Sequence, residues 1–160
     1  NTLDDIYSVH PFGNTMCVIR VTGQQVLDAL EWGARAVPSE NGGFLQVSGL
    51  TYEIHTGVAS SAEKDENGMF TRVSGEYRVK NVMVGGQPLE LDKTYTLASH
   101  NYMLLGHGDG YTMFDGCEVL GEDMMVDNQV LITYITTTLG GVVGEQYANP
   151  YGDGRIVAVE

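Results

Sequence analysis

Met16-Cys17-Val18-Ile19-Arg20-Val21-Thr22-Gly23-Gln24-Gln25-Val26-Leu27 changes its period in the middle, and that change sets the fold class. From Asn14 to Val21 the residues alternate as in a strand, with Met16, Val18 and Arg20 on one side and Cys17, Ile19 and Val21 on the other. Thr22 then offers an N-cap hydroxyl, and Gln25, three residues on, completes a capping box. Val26, Leu27, Leu30, Ala34 and Val37 follow at helical spacing until Pro38 stops the run. The pattern predicts a strand feeding an amphipathic helix that reaches Val37.

Working outward, Asn41-Gly42-Gly43 reads as a turn into the apolar-rich Phe44-Leu45-Gln46-Val47, and residues 50–55 as a second extended stretch. The polar segment 60–68 reads as an exposed hairpin tip or loop. Residues 77–84 alternate again, Gly85-Gly86 turns the chain, and residues 94–99 form another strand. Residues 106–110 are a glycine-dense loop. Asp127 is placed to cap a last helix carrying Val130, Leu131, Tyr134, Ile135 and Leu139, and residues 155–159 close the chain as a short apolar strand. Hairpin-like pairs among interspersed helices exclude a purely parallel, doubly wound sheet. The expectation is one α+β domain over residues 1–160, with a mixed sheet and flanking helices and no internal repeat or linker.

The 160 residues are 42% apolar, enough for one domain with a sizeable core. Twenty-one acidic against eight basic residues give a net charge of −13, a field that repels phosphate backbones and anionic lipid surfaces. That argues against nucleic acid as a partner and leaves room for a small anionic ligand held by a few local donors. No apolar run has the length of a membrane span, so no membrane insertion by this segment is expected. Asn1 opens the chain without an initiator Met, which reads as a processed fragment whose targeting sequence lies upstream. Cys17 and Cys117, the two cysteines, read as small buried hydrophobes rather than a disulfide framework.

Most catalytic motifs fail on inspection. The chain has no G-x-x-x-x-G-K-[ST] phosphate loop. Gly106-His107-Gly108-Asp109-Gly110 begins like a dinucleotide fingerprint, but Tyr111 occupies the third glycine position. Glu63, Asp65, Asn67 and Gly68 imitate half of a calcium loop, with Ser74 where its bidentate glutamate belongs. His10, His55, His100 and His107 form no metal-binding spacing, and Ser99 and His100, adjacent in a strand, face opposite ways. No catalytic residue is assigned, and the chain alone is expected to be inactive.

Two places remain. His10-Pro11-Phe12-Gly13-Asn14 sets an aromatic on a loop before a strand, and on its own reads as a core Phe beside a turn. Asn101-Tyr102 followed by the loop 106–111 reads as a tight turn in which Asp109 bonds the local backbone. Either aromatic has the flat face a heterocycle needs.

Taken together, several blocks resemble the C-terminal domain of the 5′-nucleotidase family. They are Asp5-Ile6-Tyr7, Pro11-Phe12-Gly13-Asn14, Thr22-Gly23 and Gly43-Phe44-Leu45-Gln46-Val47-Ser48-Gly49, followed by Gly86-Gln87-Pro88-Leu89, Lys93-Thr94-Tyr95, Asn101-Tyr102 and Gly108-Asp109-Gly110-Tyr111. The family also holds UDP-sugar hydrolases and 2′,3′-cyclic phosphodiesterases, and these activities stay open here. The resemblance implies a nucleotide-recognition domain of a two-metal phosphohydrolase in nucleotide catabolism. It places both divalent metal ions in an N-terminal metallophosphoesterase domain outside this chain, with no cofactor in this one. It also implies an extracellular, cell-wall-associated or periplasmic setting, with a nucleoside or nucleotide and the catalytic domain as partners. By position, Phe12 matches the first base-stacking ring, Asn14 the polar residue after it, and Gly42 a glycine whose backbone approaches the base. Tyr102 stands where the family usually has Phe, and Asp109 matches the acidic residue that bonds the ribose hydroxyls. The family's substrate-contacting arginines would lie upstream of Asn1. A different class of reading is a non-catalytic surface module that has kept this fold.

Overall fold

A computed structural model describes residues 2–160. Strand β1 (Met16–Thr22) is the centre of a three-stranded antiparallel sheet, ordered β7-β1-β8, with β7 spanning Thr94–His100 and β8 Glu118–Gly121. Its register runs from Met16 opposite His100 to Thr22 opposite Thr94. Helix α2 (Gly23–Gly33) follows at once, and the capping box closes as the spacing predicts: the Thr22 hydroxyl accepts from the Gln25 amide, and the Gln25 side chain accepts from the Thr22 amide.

A second sheet, ordered β6-β5-β2-β9, joins Leu50–His55 (β2), Val79–Val84 (β5), Gln87–Pro88 (β6) and Ile156–Val159 (β9). Its β2–β9 pair is parallel and the rest antiparallel, which makes the sheet mixed. Ala62–Lys64 (β3) and Phe70–Val73 (β4) pair as a hairpin, and the polar segment forms its tip. There Asp65 Oδ1 accepts from the amides of Asn67 and Met69, a turn-forming use of the residue that had imitated a calcium ligand.

Between these layers lies one core that includes Cys17, Ile19, Val21, Leu30, Trp32, Leu104, Tyr111 and Phe114. Cys17 is fully buried there and Cys117 half-buried; both are free thiols. The flanking helices are α1 (Leu3–Val9), α3 (Asn101–Leu104) and α4 (Asp127–Thr133), the last continuing into a π-helical turn, Tyr134–Thr138.

Strands β1 and β5 begin at Met16 and Val79, each two residues later than the alternation from Asn14 and from residue 77 predicts, and two helix boundaries differ as well. Helix α2 ends at Gly33, not Val37. The buried Arg78 guanidinium donates to the carbonyls of Ala34 (3.3 Å) and Val37 (2.8 Å), holding residues 34–37 in turns although their spacing continues the apolar face. Asp127 is the first residue of α4 rather than its cap: Val126 holds the N-cap position, and the Asp127 carboxylate accepts from the next amide, Asn128.

Candidate functional site

The register of β1 against β7 decides where the candidate residues meet. Because Met16 pairs with His100, the loop entering β1 and the helix leaving β7 emerge at the same end of the sheet. Asn101 fastens them together: its amide donates to the Thr15 carbonyl (2.8 Å), while its Oδ1 accepts from the amides of Thr15 (3.1 Å) and Tyr102 (3.0 Å). The loop carrying Phe12 is also tied to α4, since the Asp127 amide donates to the Asn14 carbonyl (2.8 Å) and the His10 ring lies 3.7 Å from the Asp127 carboxylate.

On this anchored loop Phe12 is 86% exposed, so the reading of it as a core residue is wrong. Gly13, at φ 66°, turns the backbone in the left-handed region just after it, which lifts the ring off the surface. Asn14 is half-buried, and its side-chain amide makes no hydrogen bond among the described residues. Tyr102 is 51% exposed at the start of α3, whose N-cap is His100: its Nδ1 accepts from the Met103 amide. The far side of the Tyr102 ring rests on Gly108. A Cβ there would overlap the ring and lie 2.6 Å from the Tyr102 carbonyl oxygen.

The glycine-dense loop is strained and supported from below. His107 (φ 55°) and Asp109 (φ 56°) both sit in the left-handed region, a conformation that costs about 1–2 kcal/mol for a side-chain-bearing residue. Trp32, fully buried on α2, donates its indole N–H to the Asp109 carbonyl at 2.8 Å. Tyr111, also fully buried, donates its hydroxyl to the Gly43 carbonyl and ties this loop to the 41–43 turn. A Cβ on Gly43 would lie 3.0 Å from the Asp109 Cβ, so Gly43 and Asp109 are neighbours, while Gly42 beside it is exposed with nothing within 4 Å of where a Cβ would stand. Burial pushes the Tyr111 phenol up, which keeps it a donor.

The Asp109 carboxylate accepts no hydrogen bond among the described residues, so bonding of the local backbone is not its role. Contacts thus run from Asn14-Thr15 through Asn101-Tyr102 and Gly108-Asp109 to Gly43. Along this edge stand two exposed rings, an unengaged amide and an unengaged carboxylate. Such an edge can stack on a flat ring and accept from hydroxyls.

The sequence reading missed Arg35 and Trp32. The Arg35 guanidinium lies 3.6 Å from the Trp32 ring centroid and donates to the Trp32 carbonyl (2.7 Å), so it stacks on the residue that supports Asp109. Burial lowers the Arg35 pKa, and the neighbouring Tyr111 and Asp109 act against that shift. The three-residue spacing of Trp and Arg was the available signal. Among the described residues no three His, Cys, Asp or Glu are grouped to hold a metal ion. Two clefts, of about 500 Å³ and about 690 Å³, are lined by none of Phe12, Asn14, Gly42, Tyr102 or Asp109. A concavity is the usual mark of a small-molecule site, but this edge is open and would need a second wall to become one.

Comparison with known proteins agrees with the fold and the motif blocks. A trifunctional nucleotide phosphoesterase protein, YfkN of Bacillus subtilis, is 32% identical over 158 residues, covering 99% of this chain and 10% of that protein. The cell wall protein Lmo0130 of Listeria monocytogenes is 30% identical over 129 residues, 80% of this chain and 14% of that protein. The crystal structure of a 5′-nucleotidase precursor from Thermus thermophilus superposes with a TM-score of 0.77 at 29% identity, over 99% of this chain and 28% of that one. This chain therefore spans between a tenth and somewhat over a quarter of the length of these proteins. No helix among the described residues is long and apolar enough to cross a membrane. Residues 2–116 match the family described as 5′-nucleotidase, C-terminal domain, and the chain belongs to that family.

Proposed function

We propose that residues 1–160 are the nucleoside-recognition domain of a longer two-metal phosphohydrolase that acts on 5′-nucleotides, exported to the cell wall, periplasm or medium. The observation that carries this reading is the joint exposure of Phe12 and Tyr102 at one end of the sheet, beside an Asp109 carboxylate with no partner of its own among the described residues. Exposed aromatic rings are free to cover the two faces of a base, at about 1–3 kcal/mol per ring. In this reading Asn14 bonds the base edge, the Gly42 backbone lies along it, and Asp109 accepts from the ribose hydroxyls.

Among the described residues no three His, Cys, Asp or Glu side chains group to hold a metal ion; in this reading the two ions are held by a separate N-terminal domain, and no chemical step is assigned to residues here. What this domain supplies is orientation and remote binding energy, which lower the barrier at a phosphate held elsewhere. Titration of the 160-residue chain with adenosine and with its 2′,3′-dideoxy analogue tests the reading. Adenosine should bind more tightly, by the ~1.5–3 kcal/mol of a charge-assisted hydrogen bond, and Asp109→Asn should erase most of the difference. Equal affinity for the two ligands would defeat it.

A further inference from the structure

The cleft of about 690 Å³ runs between residues 45–50 and β7, with α2 as its floor. In a chain of net charge −13, no residue lining it is charged. Its two walls share a second property. Strand β7 stands at the edge of the β7-β1-β8 sheet, so one of its backbone edges faces no strand. Opposite it, residues 45–48 make no main-chain hydrogen bond among the described residues; side chains take two of their carbonyls, Arg155 at Val47 (2.7 Å) and Tyr52 at Leu45 (3.5 Å).

Proteins ordinarily blunt a free edge with lysine, proline, a bulge or shortness. Thr94–His100 is seven residues long, free of proline and lysine, and pairs with β1 without a register shift. An open row of amides and carbonyls beside Leu45, Val47, Leu50, Val84 and Leu97 is complementary to one kind of object, an extended peptide that is apolar on the side it buries. Charged residues in that stretch would lose their water without gaining a partner.

We propose that this cleft is a strand-accepting slot, filled by an extended apolar segment of the longer polypeptide that pairs with the free edge of β7. The inference rests on the reading above that the chain is part of such a polypeptide. The three relatives compared above carry from 72% to 90% of their length outside the matched region, and a tethered segment has an effective concentration in the millimolar range.

Hydrogen exchange of residues 45–48 and 94–100, compared between the 160-residue chain and the longer protein, tests the slot. Amides on the free edge should exchange roughly 100-fold more slowly in the longer protein. Ala98→Asp, which sets a carboxylate in the uncharged lining, should leave the chain's melting temperature within ~2 °C while lowering that of the longer protein by several times as much. Equal exchange in both proteins, or equal tolerance of Ala98→Asp, would overturn the slot even if adenosine binds as proposed. So would protection of β7 in the chain alone that rises with concentration and sediments as a dimer, because the occupant would then be a second copy.

Discussion

Truncating Phe12 to alanine separates a binding ring from a core ring most cleanly. The side chain is 86% exposed, leaving about a seventh of it out of water. For an aromatic of about 200 Å², that is about 30 Å² of burial, worth about 0.7 kcal/mol at about 25 cal/mol per Å². A Phe inside a packed core would instead cost about 3–5 kcal/mol. In a chain of this size the first figure moves the melting temperature by ~3 °C or less, and the second by roughly 6–20 °C. Affinity should respond the other way round: losing one face of a stacked base removes about 1–3 kcal/mol, a roughly 5- to 150-fold rise in the adenosine Kd. Calorimetric melting and an NMR titration on the same samples read both quantities. A large melting shift, or an unchanged Kd, would refute the argument that this ring is held out for a ligand.

Three further substitutions probe the surroundings. Gly108→Ala should cost about 1–3 kcal/mol of stability and weaken adenosine binding, since the new methyl meets both the Tyr102 ring and its carbonyl oxygen, and the carbonyl cannot swing aside; a neutral melting curve would contradict this. Asp109→Gly relieves a left-handed residue at φ 56° and should leave stability level or raise it by up to ~1 kcal/mol while ribose discrimination disappears, which melting and the paired titration would show together. Glu31 is fully buried and accepts from the amides of Arg78 (3.1 Å) and Val79 (2.9 Å), yet burial outweighs these bonds and holds its pKa above the ordinary 4.5. The folded state therefore keeps this proton to higher pH than the unfolded chain, and the stability it contributes is full below 4.5 and lost as pH rises through the folded value. The stability difference between the wild type and Glu31→Gln should move against the wild type over that window, and movement in its favour would show the sign to be wrong.

Where local chemistry decides the structure, the sequence was readable. The period change at Thr22, the Gly85-Gly86 turn and the strands Leu50–His55 and Thr94–His100 all formed where the pattern put them. Helix α1 went unread although Thr2 and Asp5 carry their own capping box, because seven residues with Ile6 as the one buried side chain give almost no periodic signal. The overrun of α2 has a non-local cause: Arg78, more than forty residues away in sequence, claims two carbonyls that a longer helix would have kept. Exposure was likewise beyond reach. Phe12 and the buried Phe114 are the same residue type, and what separates them is the packing of Trp32 and Tyr111 under one loop and the tethering of the other to Asp127. The motif blocks placed Phe12, Tyr102 and Asp109 in one family pattern, but the Trp32–Arg35 support beneath them is a matter of three-dimensional contact.

The slot and the recognition edge share a strand, and this ties the two proposals together. β7 ends at His100, which pairs with Met16 and caps the helix that begins Asn101-Tyr102. Any partner that orders the outer edge of β7 therefore stiffens the base of the Tyr102 platform and, through Asn101, the Thr15 end of the Phe12 loop. Where the slot is empty, as proposed for the 160-residue chain, any ordering of that end of β7 falls at the moment of binding and is charged against affinity. Where a segment of the longer polypeptide fills the slot as proposed, folding supplies that order beforehand. Nucleoside affinity should thus rise from chain to longer protein even for adenosine, which offers no phosphate to a metal-bearing domain, and Ala98→Asp should reduce that gain without touching the ligand.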